Sequence, residues 1–187
     1  MQAKHFGKCG NMGSQLELNA KDIITGLDNL NQRFSGKKIL LTGAAGFLGC
    51  QFMHYFKVLN ESAILNTPCH LFAWDNFLRG IPDWLAEFDG SLGISMEKKD
   101  IINDIDYPKP DFIIHAASIA SPLYYRKYPI ETIDANVTGL RNLLDFSKEN
   151  HIESFLFFST SEIYGDPDPA YIPTNEDYRG NVSCTGS

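Results

Sequence analysis

No stretch of this sequence reaches the roughly 18 apolar residues that a membrane-spanning helix needs. A basic excess is missing too. Sixteen Lys plus Arg face 23 Asp plus Glu, a formal charge of −7. Such a surface does not neutralise a nucleic-acid backbone or an anionic membrane, so neither is an expected partner. It leaves room only for a local basic pocket around a single phosphate. The four cysteines, Cys9, Cys50, Cys69 and Cys184, are scattered, with no C-x-x-C pair and no His at zinc spacing. Buried free thiols in a reducing compartment are expected, with no metal. The first twenty residues carry Lys4, His5, Lys8 and Glu17 but no apolar core of a secretory signal, so a cytoplasmic location is expected. What is present is ordinary globular material. The 187 residues are 43% hydrophobic and 21% charged, enough for one domain with a full core.

The chain changes texture near residue 37. Before it, residues 1–36 read as a polar, glycine-containing arm followed by one added helix. That helix is expected to start near Asn19 as N-cap and to run through Ile23, Leu27, Leu30 and Phe34. After it, short apolar strands alternate with helices. Ile39-Leu40-Leu41 is the first strand, and the following helix carries Leu48, Phe52, Phe56 and Leu59. His70 to Trp74 is a second strand, closed by Asp75. Ile94 to Glu97, Phe112 to Ala116, and Ser154 to Ser159 are three more. A long helix from about Pro129 to Asn150 carries Ile133, Val137, Leu140 and Leu144. Near-continuous apolar strands separated by helices predict an α/β fold with a parallel sheet covered on both faces.

The chemistry is expected at the turn after the first strand, Thr42-Gly43-Ala44-Ala45-Gly46-Phe47-Leu48-Gly49. Glycines at 43, 46 and 49 give G-x-x-G-x-x-G, one residue longer than the standard dinucleotide fingerprint. The physical need is a sharp strand-to-helix turn whose backbone approaches a pyrophosphate, with a helix N-terminus supplying N–H donors. Asp75 ends the second strand 26 residues after Gly49. A carboxylate there accepts the hydroxyls of an adenosine ribose and repels a 2′-phosphate. Asn76 follows, and the nearest Arg is Arg79, so NAD is preferred over NADP.

These segments resemble a family. TGAAGFLG, Asp75-Asn76-Phe77, HAAS at 115–118, a helix carrying Asn136, and STSEIYGDP at 159–167 are together similar to the extended short-chain dehydrogenases/reductases, the NAD-dependent epimerase/dehydratase group. The resemblance runs from about Lys38 to the C-terminus. Ala120 to Tyr125, Pro129 to Ile133, Ser159 to Pro167 and Glu176 to Val182 are most like the UDP-glucuronate decarboxylases. It implies a Rossmann-type doubly wound parallel sheet over 37–187 and a nucleotide-sugar substrate. It also implies NAD contacts from Gly43, Ala45, Gly46, Phe47, Leu48, Gly49, Asp75, Asn76, Asp100, Ile101, Ala116, Ala117, Ser118, Asn136 and Ser159. Asn136 either orders a proton-relay region or stabilises its helix. His115 reads as a satisfied core histidine.

Thr160, Ser161 and Glu162 are the expected catalytic residues. They follow the end of a parallel strand, where ligands of such sheets bind. Thr160 and Ser161 offer hydroxyls to a sugar O4, and Glu162 a carboxylate as base or electrostatic element. Dehydratase relatives carry Asp-Glu after the Thr, with the Asp as acid for water loss, and simple 4-epimerases lack the Glu. The Thr-Ser-Glu order therefore favours decarboxylation, with dehydratase or epimerase chemistry as alternatives. The family's Tyr-x-x-x-Lys pair is not found. Tyr164, Tyr171 and Tyr178 are followed at +4 by Asp168, Asn175 and Val182, and no other tyrosine has Lys at +4. The expectation is thus an N-terminal part of a longer enzyme, its sheet cut after about five strands and its C-terminal substrate domain absent. The full-length parent is expected to be a homodimer, and this chain alone a catalytically silent nucleotide-binding module.

Overall fold

A computed structural model describes residues 12–103, 106 and 108–182. Cys9, Cys184 and the start of the expected N-terminal arm lie outside the described residues. The chain divides into two compact units, Met1–Phe157 and Phe158–Ser187.

The first unit is built on five strands: β1 (Lys38–Thr42), β2 (His70–Asp75), β3 (Ile94–Lys98), β4 (Phe112–His115) and β5 (Ser154–Phe157). All pair in parallel in the order β3-β2-β1-β4-β5. Leu40 is in register with Phe72 on one side and Ile113 on the other, and Ile113 with Phe155. Side chains alternate across a strand, so this row shares one face. Leu40, Trp74, Ile101, Ile113 and Leu143 form a buried cluster there, with Phe72, Phe146 and Phe155 packed against it. Burying each of these large side chains contributes about 1.5–3 kcal/mol. Ile39, Leu41, Leu71 and Ala73 point to the other face and are fully buried. The sheet is therefore covered on both sides at β1, β2 and β4, whereas the edge strand β5 leaves Leu156 and Phe157 exposed.

Between β1 and β2 runs α2 (Phe47–Glu61), which buries Met53, Phe56 and Leu59. Preceding β1 is α1 (Met12–Leu27), followed by a 3₁₀ segment, Asp28–Phe34. This helix starts seven residues before the expected Asn19. Across the helix and the 3₁₀ segment the buried positions are Ala20, Ile24 and Asn31, whereas Ile23 and Leu30 are exposed. A small and a polar residue on the inner stripe hid the true face. Asn31 makes its burial favourable by donating to the carbonyls of Ile24 and Asp28, both at 2.7 Å, while Tyr55 Oη donates to its Oδ1 at 2.8 Å. Glu17 and Lys57 pair across α1 and α2 at 3.6 Å.

The expected long helix over 129–150 follows α3 (Pro122–Lys127) and has three parts: α4 (Pro129–Ile133), a π-helical turn (Asp134–Gly139) and α5 (Leu140–Asn150). Here too the expected face is not the buried one. Ile133, Val137 and Leu144 are exposed, whereas Gly139 and Leu143 are buried. The inner stripe begins with a glycine because Ile101 presses on it: a Cβ at Gly139 would stand 2.6 Å from Ile101 Cδ1. No helix among the described residues is long and apolar enough to cross a membrane.

Candidate functional site

Strand order reverses between β1 and β4, and the loops leaving their carboxyl ends part there to leave a crevice. The turn from β1 into α2 forms one wall. Gly43 has φ +75°, and a Cβ on it would lie 2.6 Å from the backbone carbonyl of Ala116. Both facts demand glycine. At Gly49 a Cβ would lie 2.2 Å from Gly43 O, so the third glycine lets the helix start directly beneath the turn. The turn's amides point inward. Gly43 N and Ala44 N donate to Trp74 O at 2.8 and 3.1 Å, Gly46 N donates to Gly43 O at 3.0 Å, and Ala45 N donates to Asp75 Oδ2 at 3.0 Å. The first bond of α2 runs from Cys50 N to Gly46 O at 2.9 Å. The N–H groups of Phe47, Leu48 and Gly49 therefore sit at the open end of the helix.

The opposite wall leaves the end of β2. Asp75 Oδ1 accepts from Phe77 N at 2.8 Å and Asn76 Oδ1 from Leu78 N at 3.0 Å. Phe77 has φ +56°, Gly80 has φ +89°, and Gly80 N donates to Phe77 O at 2.8 Å. Two side-chain-to-backbone turns thus fold this loop back on itself. The cleft between the walls encloses about 380 Å³.

Of the sequence-predicted residues, Gly43, Ala45, Gly46, Asp75, Asn76, Asp100, Ile101, Ala116, Ala117 and Ser118 all line this cleft. Phe47, Leu48 and Gly49 do not; Phe47 is 81% exposed at the helix start. Asn136 is exposed in the π-helical turn, while its neighbour Ala135 lines the cleft. Sequence reasoning missed Leu78, Arg79, Ile81, Pro82 and Lys99 as lining residues. Gly80 and Pro82 were the available signal that a turn brings them inward. Lys99 Nζ lies 5.6 Å from the centre of the Trp74 ring.

His115 lies beneath the cleft, 1% exposed, with Nδ1 2.7 Å from Thr42 Oγ1 and its ring stacked on Phe157. Burial pushes its pKa down from 6.5 to about 4, so the imidazole is neutral in the fold. Cys50 and Cys69 are free and buried, and burial raises each thiol to about 11. Protonated and enclosed, they are inert.

Ser159, Thr160, Ser161 and Glu162 belong to the second unit and are all exposed. Thr160 caps a short 3₁₀ turn, Ser161–Tyr164, its Oγ1 accepting from Glu162 N at 3.2 Å. The turn is closed by Gly165, whose N–H donates to Glu162 O, and Asn181 N donates to Tyr164 O at 2.9 Å. This leaves the Ser161 hydroxyl and the Glu162 carboxylate on the surface of their own unit.

The β-turn-α fingerprint, a carboxylate ending β2 and a cleft at the strand-order reversal together define a dinucleotide-binding α/β protein. A family model described as the NAD dependent epimerase/dehydratase family matches residues 39–183, and the chain belongs to that family, whose cofactor is NAD. UDP-glucuronic acid decarboxylase 6 of Arabidopsis thaliana is 33% identical over 158 residues, covering 83% of this chain and 43% of that protein. UDP-glucuronic acid decarboxylase 1 of Danio rerio is 34% identical over 150 residues, covering 80% of this chain and 33% of its own length. The chain thus spans less than half the length of these curated relatives. Among solved structures, the epimerase Mth375 of Methanothermobacter thermautotrophicus matches with a TM-score of 0.64 at 20% identity, over 86% of this chain and 45% of that one. The UDP-glucose 4-epimerase of Thermus thermophilus, solved in complex with NAD, gives 0.55 at 22% identity, over 78% and 44%. At these identities the match establishes a shared fold.

Proposed function

We propose that this chain is the NAD-binding part of an enzyme that decarboxylates UDP-glucuronate. The residues present fit the cofactor. Gly43 and Gly46 keep the turn free of side chains, the N–H groups at the start of α2 face outward, and a carboxylate ends β2. Each Asp75 oxygen accepts one backbone N–H and retains a lone pair for a ribose hydroxyl. Ala116, Ala117 and Ser118 form the side of the cleft nearest β4, where a small side chain leaves room for a dinucleotide. NAD, when bound, supplies the reversible two-electron oxidation at the sugar C4 that makes the C5 carboxylate a β-keto acid.

The observation that carries the decarboxylase reading is Thr160-Ser161-Glu162 in a chain one-third identical to UDP-glucuronic acid decarboxylases. Ser161 is a poor acid for water loss, so dehydration is not favoured. The Glu162 carboxylate is suited to accept a proton or to set the field at the reacting carbons. The Tyr-x-x-x-Lys acid–base pair is not among these 187 residues, so the chain by itself is proposed to bind nucleotide without turnover. The exposed apolar stripe Ile133, Val137 and Leu144 supports a homodimeric full-length protein.

The test uses the protein carrying this chain at full length, incubated with NAD and UDP-glucuronate labelled in its carboxyl carbon. Release of labelled CO2 is expected, and Glu162→Gln should lower its rate by about 10²-fold or more at unchanged NAD affinity. Accumulation of a 4-epimer without CO2 would refute the decarboxylase reading, and unaltered turnover in the variant would refute the role of Glu162.

A further inference from the structure

The hydrogen bonding of the glycine turn leaves an anion on it short of donors. Every N–H from Gly43 to Gly46 is already engaged, with Trp74 O, Asp75 Oδ2 or Gly43 O. Only the helix-start amides remain, and a carboxylate, Asp75, is bonded to the turn itself at Ala45 N. A pyrophosphate brings two negative charges into that setting. The helix start supplies about half a positive charge, and a cationic side chain would complete the balance.

Arg79 is placed to supply it. The loop after β2 is folded back by two side-chain turns, with Phe77 held at φ +56°, a conformation that is uncommon and costly for a bulky residue. This folding carries Arg79 over the turn, its Nη2 3.8 Å from where a Cβ on Gly46 would stand. Among the described residues the guanidinium has no hydrogen-bond or ion-pair partner. A structural arginine would have one. It stands over the middle glycine of the turn.

We propose that Arg79 clamps the cofactor pyrophosphate against the Gly43–Gly46 turn, replacing the donors that the turn has committed to its own shape. This rests on the reading of the cleft as the NAD site. A guanidinium presents a planar fork of N–H donors that suits two phosphate oxygens at once, which an ammonium does not.

The test is calorimetric titration of the protein and its Arg79→Ala and Arg79→Lys variants with NAD, ADP, adenosine and NADP. Removing Arg79 should weaken NAD and ADP about tenfold or more, leave adenosine unchanged, and weaken NADP in step with NAD. Arg79→Lys should recover part of the loss, and NAD binding should weaken less with added salt in Arg79→Ala than in the unsubstituted protein. Melting temperature should not move, because the side chain is exposed and unpartnered. NAD and ADP affinities within twofold of the unsubstituted protein would overturn the proposal. So would an equal loss for adenosine, which would make Arg79 a support for the loop or the base, or a loss confined to NADP. If the unsubstituted protein bound neither NAD nor ADP, the cofactor site itself would fall.

Discussion

Asp75 has two tasks, and Asp75→Asn separates them. Its Oδ2 accepts from Ala45 N at 3.0 Å and its Oδ1 from Phe77 N at 2.8 Å, so one half-buried carboxylate ties the β1–α2 turn to the loop after β2. In asparagine one of those acceptors becomes a donor aimed at another donor. One bond is lost outright and the other loses its charge assistance. Hydrogen bonds to a charged group contribute about 1.5–3 kcal/mol, and partial exposure puts this pair near the lower end, about 1.5 kcal/mol. For a domain of this size each kcal/mol moves Tm by roughly 2–4 °C, so a fall of about 3–6 °C is expected without any cofactor. Scanning calorimetry of the cofactor-free protein reads that directly. Titration with NAD and NADP then reads the second task, the ribose, where NAD should lose its advantage over NADP. An unchanged Tm would refute the tie between the two loops. A lowered Tm with the cofactor preference intact would leave Asp75 a purely structural residue.

Acid should destabilise the sheet through His115. Its pKa is depressed to about 4 in the fold against 6.5 in an exposed imidazole, so the unfolded chain binds the proton first. The contribution is complete above about pH 6.5 and is lost as pH falls towards 4, about 3 kcal/mol in all. Denaturant midpoints between pH 7.5 and 4.5 should show that fall, and His115→Gln should flatten it; an equal slope in the variant would assign the acid sensitivity elsewhere. Gly139→Ala should strain the cleft from behind. Its Cβ would meet Ile101 Cδ1 at 2.6 Å and Cγ1 at 2.7 Å, and Ile101 lines the cleft. Overpacking of about 1–3 kcal/mol outweighs a helix-propensity gain of about 1 kcal/mol, so Tm and NAD affinity should both drop, and with Ile101→Ala, which removes both carbons, the double variant should lose less than the sum of the single losses.

Which parts of this molecule were legible depended on how many residues each decision involved. The β1-turn-α2 unit is a run of consecutive residues, and its three glycines announce the backbone conformations they permit. Strands β1, β2 and β4 are apolar without interruption because both faces are covered, and they could be read directly. The helices misled where the sequence offered two stripes. On 129–150 the aliphatic stripe Ile133, Val137 and Leu144 faces outward, and the buried one starts at Gly139, which is small because Ile101 occupies its space. On α1 and the 3₁₀ segment after it the buried stripe contains Ala20 and Asn31, the second made tolerable by the nearby carbonyls of Ile24 and Asp28 and by Tyr55 from α2. A hydrophobic pattern cannot announce a partner that lies 24 residues away.

The glycine fingerprint exposes the shape of the site but not its charge. In Gly43–Gly46 the amides are bound to Trp74, Asp75 and Gly43 itself, so the glycines define a surface of the right shape with few free donors on it. A shape of that kind depends on local steric rules, which any strand-to-helix turn must obey, and it is written in consecutive letters. Charge is different. Arg79 reaches the turn from a separate loop, which Asp75 and Asn76 fold with their own side chains. Asp75 therefore sets the position of both walls: through Oδ2 it fixes the turn, and through Oδ1 it fixes the loop that brings the guanidinium over it. Loss of that carboxylate should weaken pyrophosphate as well as ribose binding, so Asp75→Asn and Arg79→Ala should not act additively on ADP affinity. Additive losses in the double variant would mean that the loop finds its place without Asp75.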